Sequence, residues 1–237
     1  MAASNAILMR LLTAALWCAL ASGLQSSTFW NPLRFLQQSS RFVQFPGTTG
    51  TSTTVTVKPG DVLYQAGNNA QNEFDFAPLD DIVMGGASKS TFSNGIWKGT
   101  VTDANNGGFI GIRSIPNGKT YDCTACQGFQ VKVRLLRSPG NSRVRFKFAT
   151  RDSADFNGLT WATSVDATVM DKPIVWKVPL AKQKATQFAR VVPNQQFKLD
   201  TLVGVQFVYS KFEYDGDLNL YFALGEIELK IEEIKAY

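Results

Sequence analysis

The stretch "GFQVKVRLLRSPGNSRVRFKFAT" (residues 128–150) decides the fold class. Phe129, Val131, Val133 and Leu135 alternate with Gln130, Lys132 and Arg134. After "RSPGNS", Val144, Phe146 and Phe148 alternate with Arg143, Arg145 and Lys147. Alternation with period two puts every apolar side chain on one face of a strand. Pro, Gly, Asn and Ser between the two runs predict a turn, so the pair is expected to form a hairpin. Its outer face would carry Lys132, Arg134, Arg143, Arg145 and Lys147, with Arg137 at the turn and Arg151 just beyond.

Working outward, further strands are expected in "GIWKGTV" (95–101), "GGFIGIRS" (107–114), "PIVWKVPL" (173–180), "LVGVQFVYS" (202–210) and "EIELKIEEI" (226–234). No segment sustains a helical stripe. The nearest, "LAKQKATQFARVV" (180–192), reads as a loop. Many strands with one apolar face each are best buried as two sheets face to face, so the expected fold is an all-β sandwich of jelly-roll type.

The basic hairpin face has two readings. Glu226, Glu228, Glu232 and Glu233 of the last strand could neutralise it from within, or it could meet a phosphate backbone or an acidic protein. Net charge does not decide between them. Four of the 24 basic residues and none of the 19 acidic ones lie in residues 1–60, leaving 20 basic against 19 acidic groups in the body.

Composition excludes several chemistries. There is no histidine, which removes Ser-His-Asp and Cys-His nucleophiles, His general bases and His-ligated metals. Cys123 and Cys126 in "DCTAC" are too few for a four-thiolate zinc site. They remain open as loop thiols, a redox pair or a share of a metal site. No cofactor motif occurs, and no enzyme, metal or cofactor is expected.

The N-terminal 60 residues read as a leader. "LLTAALWCALASG" (11–23) is an apolar core of signal-peptide length, and residues 29–60 are Ser-, Thr- and Gln-rich without an acid. The combination, with Phe29 near the junction, resembles a two-part plastid-targeting leader; a mitochondrial presequence and a plain secretory signal with a disordered spacer are the alternatives. The expected organisation is a signal-like leader over 1–28, a transit-like segment and linker over 29–60, and one β-sandwich domain over 61–237. No transmembrane helix is expected in the mature chain.

Two polar stretches stand out from the strands: "DDIVMGGASKSTF" (80–92) and "NNGGFIGIRS" (105–114). A phosphate cradle is not expected in the first, because the glycine pair leads into a strand and no Lys follows at P-loop spacing. Asp80 and Asp81 would diverge in a strand, whereas in a loop they could cap backbone N–H groups or bind a cation. Gly85 and Gly86 would supply positive φ.

With these residues in view, the chain resembles the complex I intermediate-associated protein 30 family. The resemblance rests on "DDIVMGGASKSTF", "GIWKGTVTDANNGGFIGIRS", "WKVPLAKQKATQFARVV" and "YSKFEYDGDLNLYFALGEIELKIEEIKAY", and covers about residues 74–237. Trp97 stands where the family more often has Phe, and "RLLRSPGNSR" replaces its short Gly-Asp-Gly hairpin. The resemblance implies a galactose-binding-like jelly roll and a non-enzymatic role. Members act as assembly factors or chaperones for respiratory complex I, and chloroplast relatives serve photosystem biogenesis, one with RNA association. Expected partners are thus subunits or intermediates of a membrane electron-transfer complex, with RNA second. Carried over as a signature surface are Asp80, Asp81, Gly85, Gly86, Ser88, Gly107, Gly108, Phe109 and Arg113, with Arg113 expected to pair with Asp80 or Asp81. A carbohydrate-binding module is the other reading, for which Trp161 and Trp176 would be the stacking aromatics.

Overall fold

The computed structural model describes residues 32–42, 53–68, 70–140 and 142–237. The signal-like leader and the start of the transit-like segment, Phe29 included, lie outside them.

Two antiparallel sheets pack face to face. The seven-stranded sheet runs β13 (Arg190–Val191), β12 (Lys184–Gln187), β10 (Thr160–Thr168), β9 (Arg143–Arg151), β14 (Gly204–Ser210), β6 (Phe109–Ser114) and β3 (Phe76–Pro78). The other runs β11 (Ile174–Pro179), β8 (Gly128–Arg137), β15 (Gly225–Ala236), β5 (Ile96–Val101) and β4 (Lys89–Ser93), with β2 (Val62–Gln65) on the far end of β15. A small parallel pair, β1 (Thr53–Thr56) with β7 (Lys119–Asp122), closes one end. This is the expected sandwich of jelly-roll type.

The expected hairpin at residues 128–150 does not form. β8 and β9 belong to different sheets and face each other across the core, with Phe129 and Phe148 edge to face at 6.2 Å. Both runs satisfy the same alternation, and burial on opposite walls uses their apolar faces better than lateral pairing does. A real tight hairpin joins β4 to β5 through Asn94-Gly95, whose φ values of 50° and 79° suit a two-residue turn. Part of 180–192, read as a loop, is β12 and β13 after a 3-10 turn at Leu180–Lys182.

The core is aromatic: Phe146, Phe148, Phe207 and Tyr209 from one sheet meet Trp97, Phe129 and Trp176 from the other. Each such side chain contributes about 1.5–3 kcal/mol by leaving water. A second apolar cluster lies on the outer side of the seven-stranded sheet. There α1 (Pro32–Ser39) and the 3-10 turn after it bury Phe35 and Phe42 against Ala77, Leu79 and Val83. So the segment expected to be transit-like and linker over 29–60 is, at residues 35–42, packed on the body. No helix among the described residues is long and apolar enough to cross a membrane.

Candidate functional site

"DDIVMGG" follows β3 as a 3-10 turn, Asp81–Met84, closed by Gly85 at φ 93°. Asp81 is buried, and four donors converge on its carboxylate. Oδ1 accepts from the Ser88 amide at 2.9 Å. Oδ2 accepts from Ser88 Oγ at 2.6 Å and the amides of Gly108 at 2.8 Å and Phe109 at 3.3 Å. Asp80 is equally buried. It accepts from the Ser90 amide and hydroxyl, both at 2.7 Å, and from the Gly111 amide at 3.2 Å. The two carboxylates therefore lock the turn and β4 onto β6, capping backbone N–H groups as a loop reading allows.

The glycines serve this lock in a way spacing did not reveal. Gly86 does not take the positive φ expected of it; a Cβ there would lie 2.4 Å from the Asp81 carboxyl group. A Cβ on Gly107 would sit 2.5 Å from Asp81 Oδ2. The paired glycines cradle a carboxylate of the chain itself, and that fills the space a phosphate would need. Burial, aided by the charge of Asp81, pushes the Asp80 carboxyl up to about 6 against its hydrogen bonds. A raised carboxyl can mark a general acid, but Asp80 is only 1% exposed and its donors fill both oxygens. The arrangement fixes loops and offers no path to a substrate. Asp80, Asp81 and Ser88, expected on a signature surface, are interior.

Arg113 pairs with neither aspartate. From β6 it points to the outer side of the seven-stranded sheet, donating Nε to Gln206 Oε1 at 2.9 Å and Nη1 to the Phe156 carbonyl at 3.2 Å. The rings of Phe42 and Phe156 lie 5.6 and 5.2 Å from its guanidinium. Both aspartates were already saturated by nearer donors, which left nothing for Arg113 to answer. Its neighbour is Arg151 of β9, also buried, whose Nη2 donates to the carbonyls of Ser153 and Asp155. Burial and then the Arg151 charge hold Arg113 below its ordinary value, and burial holds Arg151 down at about 10. In the sequence Arg151 only flanks the basic run, and nothing in its local sequence marks it as buried.

The basic residues do not make one face. Lys132 and Arg134 lie on the outside of the six-stranded sheet, 3.3 and 3.6 Å from Glu232. Arg143, Arg145 and Lys147 lie on the outside of the other sheet, because β8 and β9 are in different walls. Arg143 and Arg145 both bind Asp166 and rest on the Tyr221 ring at 4.4 and 4.9 Å. Lys147 is buried, donating to the carbonyls of Phe212 and Glu213 at 2.5 and 2.6 Å, and burial lowers it to about 8. These contacts draw residues 211–224 over that sheet as a roof.

Neither tryptophan is available for stacking on a sugar. Trp161 is buried and stacked on Phe197 at 4.6 Å; Trp176 is in the core and donates Nε1 to the Asp166 carbonyl. Cys123 and Cys126 are free, buried thiols, both pushed up by burial, Cys123 to about 12. Burial thus disfavours the thiolate form of both. Among the described residues no group of three or more His, Cys, Asp or Glu could hold a metal ion.

The description of the Complex I intermediate-associated protein 30 (CIA30) family matches residues 66–231, which contain both aspartate-bearing and arginine-bearing clusters. The chain belongs to this family. The CIA30 span takes in every strand of the two large sheets except β2, and ends within β15. Comparison with individual curated proteins gives no match. Solved structures similar to this chain include a family 11 carbohydrate-binding module from Clostridium thermocellum in complex with a β-1,3-1,4-mixed-linked tetrasaccharide. It is 14% identical at a TM-score of 0.48, over 76% of this chain and 96% of that one. A carbohydrate-binding module specific for non-crystalline cellulose is 8% identical at 0.39, over 77% and 97%. An exo-β-agarase is 9% identical at 0.42, over 75% of this chain and 26% of its own.

Proposed function

We propose that the chain is a non-enzymatic assembly factor for a membrane electron-transfer complex, respiratory or photosynthetic, and that it acts by binding subunits or assembly intermediates. The CIA30 match over residues 66–231 carries this reading. Support comes from where the polar motifs lie. The buried aspartates hold loops together, the sheet face that could form a ligand groove is roofed by residues 211–224, and the tryptophans are interior. The roof turns apolar side chains outward: Phe212, Leu218, Leu220 and Leu224 are 44, 59, 83 and 45% exposed. Such a patch suits a protein partner. The signal-like composition of residues 1–28 and the acid-free stretch behind it support delivery to a plastid, with the mitochondrion as the alternative, while residues 35–42 and β1 belong to the folded body.

Affinity purification of the tagged protein from isolated organelles tests the proposal. Recovery of complex I or photosystem subunits is expected, and their absence from a stoichiometric eluate overturns it. Fusing residues 1–60 to a fluorescent protein tests the destination; reticular or extracellular signal alone rejects the plastid.

A further inference from the structure

We propose that Arg113 and Arg151 form a receptor for a single carboxylate group. Both side chains emerge on the outer side of the seven-stranded sheet, from β6 and β9, over the intervening β14. Together with Phe42, Pro116, Lys119, Ser153, Ala154 and Gly204 they line a cavity of about 20 Å³. Two guanidiniums meet there beside Lys119; the lysine is paired with Glu73 at 2.8 Å, whereas among the described residues neither arginine has a carboxylate at ion-pair distance. Asp152 and Asp155 act on Arg151 only from further away; their carboxylates accept the amides of Lys198 and Asn157. Arg151 Nη1 is buried and has no acceptor among the described residues.

Two neighbouring guanidiniums removed from water and left without an anion are costly, since a buried charge needs a partner of opposite sign. A ligand of negative charge resolves both the repulsion and the unused donor. The chain does not supply it locally: residues 43–52, which follow Phe42, contain no Asp or Glu. The cavity holds about one water-sized group, so a single oxygen of a bound anion enters it, and a planar carboxylate is the smallest oxyanion that matches a guanidinium fork. Guanidinium forks match planar carboxylates. The carboxylate belongs either to a small free acid or to an acidic side chain of a protein partner. The second source rests on the assembly-factor reading.

The test uses the purified full chain and thermal unfolding at constant ionic strength, exchanging sodium methanesulfonate, a bulkier tetrahedral anion of weaker basicity, for sodium acetate. At ten times its Kd, acetate should raise Tm by about 3–5 °C. Arg151→Met should fold, with an unchanged far-UV spectrum, and lose the shift; Arg151→Lys, which keeps the charge without the fork, should bind at least tenfold more weakly. No acetate-specific shift, an equal shift in Arg151→Met, or an equal shift with chloride overturns the proposal. Should Arg151→Met fail to fold, Arg151→Lys alone decides: acetate affinity equal to that of the unsubstituted chain overturns the receptor. An acetylated Gly-Glu-Gly amide competing with acetate, where Gly-Gln-Gly does not, identifies a partner side chain as the source. Acetate binding without such competition keeps the receptor and counts only against its role in partner binding.

Discussion

Two pairs of buried like charges meet β6 of this sandwich, and they are treated in opposite ways. Asp80 and Asp81 collect seven hydrogen bonds from backbone amides and serine hydroxyls. Among the described residues Arg113 and Arg151 find only neutral carbonyl and amide oxygens, and one Arg151 nitrogen finds no acceptor. The anions are closed from within by local chain, as loop staples are. The cations are left open, as groups that wait for something outside the chain are. Burial alone therefore does not distinguish a structural charge from a binding one; completeness of its partners does.

The comparison breaks most severely at Asp81. Asp81→Asn keeps one acceptor oxygen and turns the other into a donor, which faces either the Ser88 amide or the amides of Gly108 and Phe109. It should cost about 3–5 kcal/mol, read as a fall in Tm of roughly 8–15 °C. If the carboxylate is only a cap on an exposed loop, the loss will stay near 1 kcal/mol in denaturant titration.

Next comes a pH effect specific to Asp80. Its carboxyl is raised from 3.8 to about 6, so the folded chain binds the proton more tightly than the unfolded one. Ionisation therefore costs folded-state stability above about pH 6. That cost disappears as pH falls from 6 towards 4, worth up to about 3 kcal/mol at 1.4 kcal/mol per unit. Because other carboxylates titrate too, the quantity to measure is the stability of the unsubstituted chain minus that of Asp80→Asn. This difference should grow on acidification; a flat difference between pH 7 and 4 would remove the burial argument.

Gly107→Ala should cost about 2 kcal/mol by forcing a methyl group against Asp81 Oδ2 and the Thr102 carbonyl. A neutral result in thermal unfolding would mean that the loop yields and that the cradle around Asp81 is loose.

How legible all this was depends on whether the signal is local. Period-two alternation placed β5, β6, β8, β9, β11, β14 and β15, because one face of each is buried. It could not say which strands pair, since Val144 and Phe146 look the same beside β8 as opposite it. β10 escaped because Ala162, Ser164 and Ala167 blur its pattern, although Asn94-Gly95 was a readable hairpin signal. In the site, the hydrogen-bonding role of the aspartates was accessible from loop chemistry. The Arg113 contact was not: Gln206, Phe156 and Phe42 come from three distant segments that no spacing relates. Arg151, as one more charge in a basic strand, gave no hint that its end of β9 turns under a loop.

The smallest effect sharpens the comparison from the surface. Lys132 lies 3.3 Å from Glu232 with its side chain 44% exposed, an ion pair of the kind that solvent screens. Lys132→Ala should change stability by less than about 0.5 kcal/mol at 0.15 M salt, within the error of most denaturant titrations. Raising the salt should erase what remains. A loss above 1 kcal/mol would show that the Lys132, Arg134 and Glu232 group is a coupled network. The outer side of the six-stranded sheet would then carry a closed charge cluster like that of the aspartates. The contrast would no longer run between the anions and the cations, but between the two walls of the sandwich.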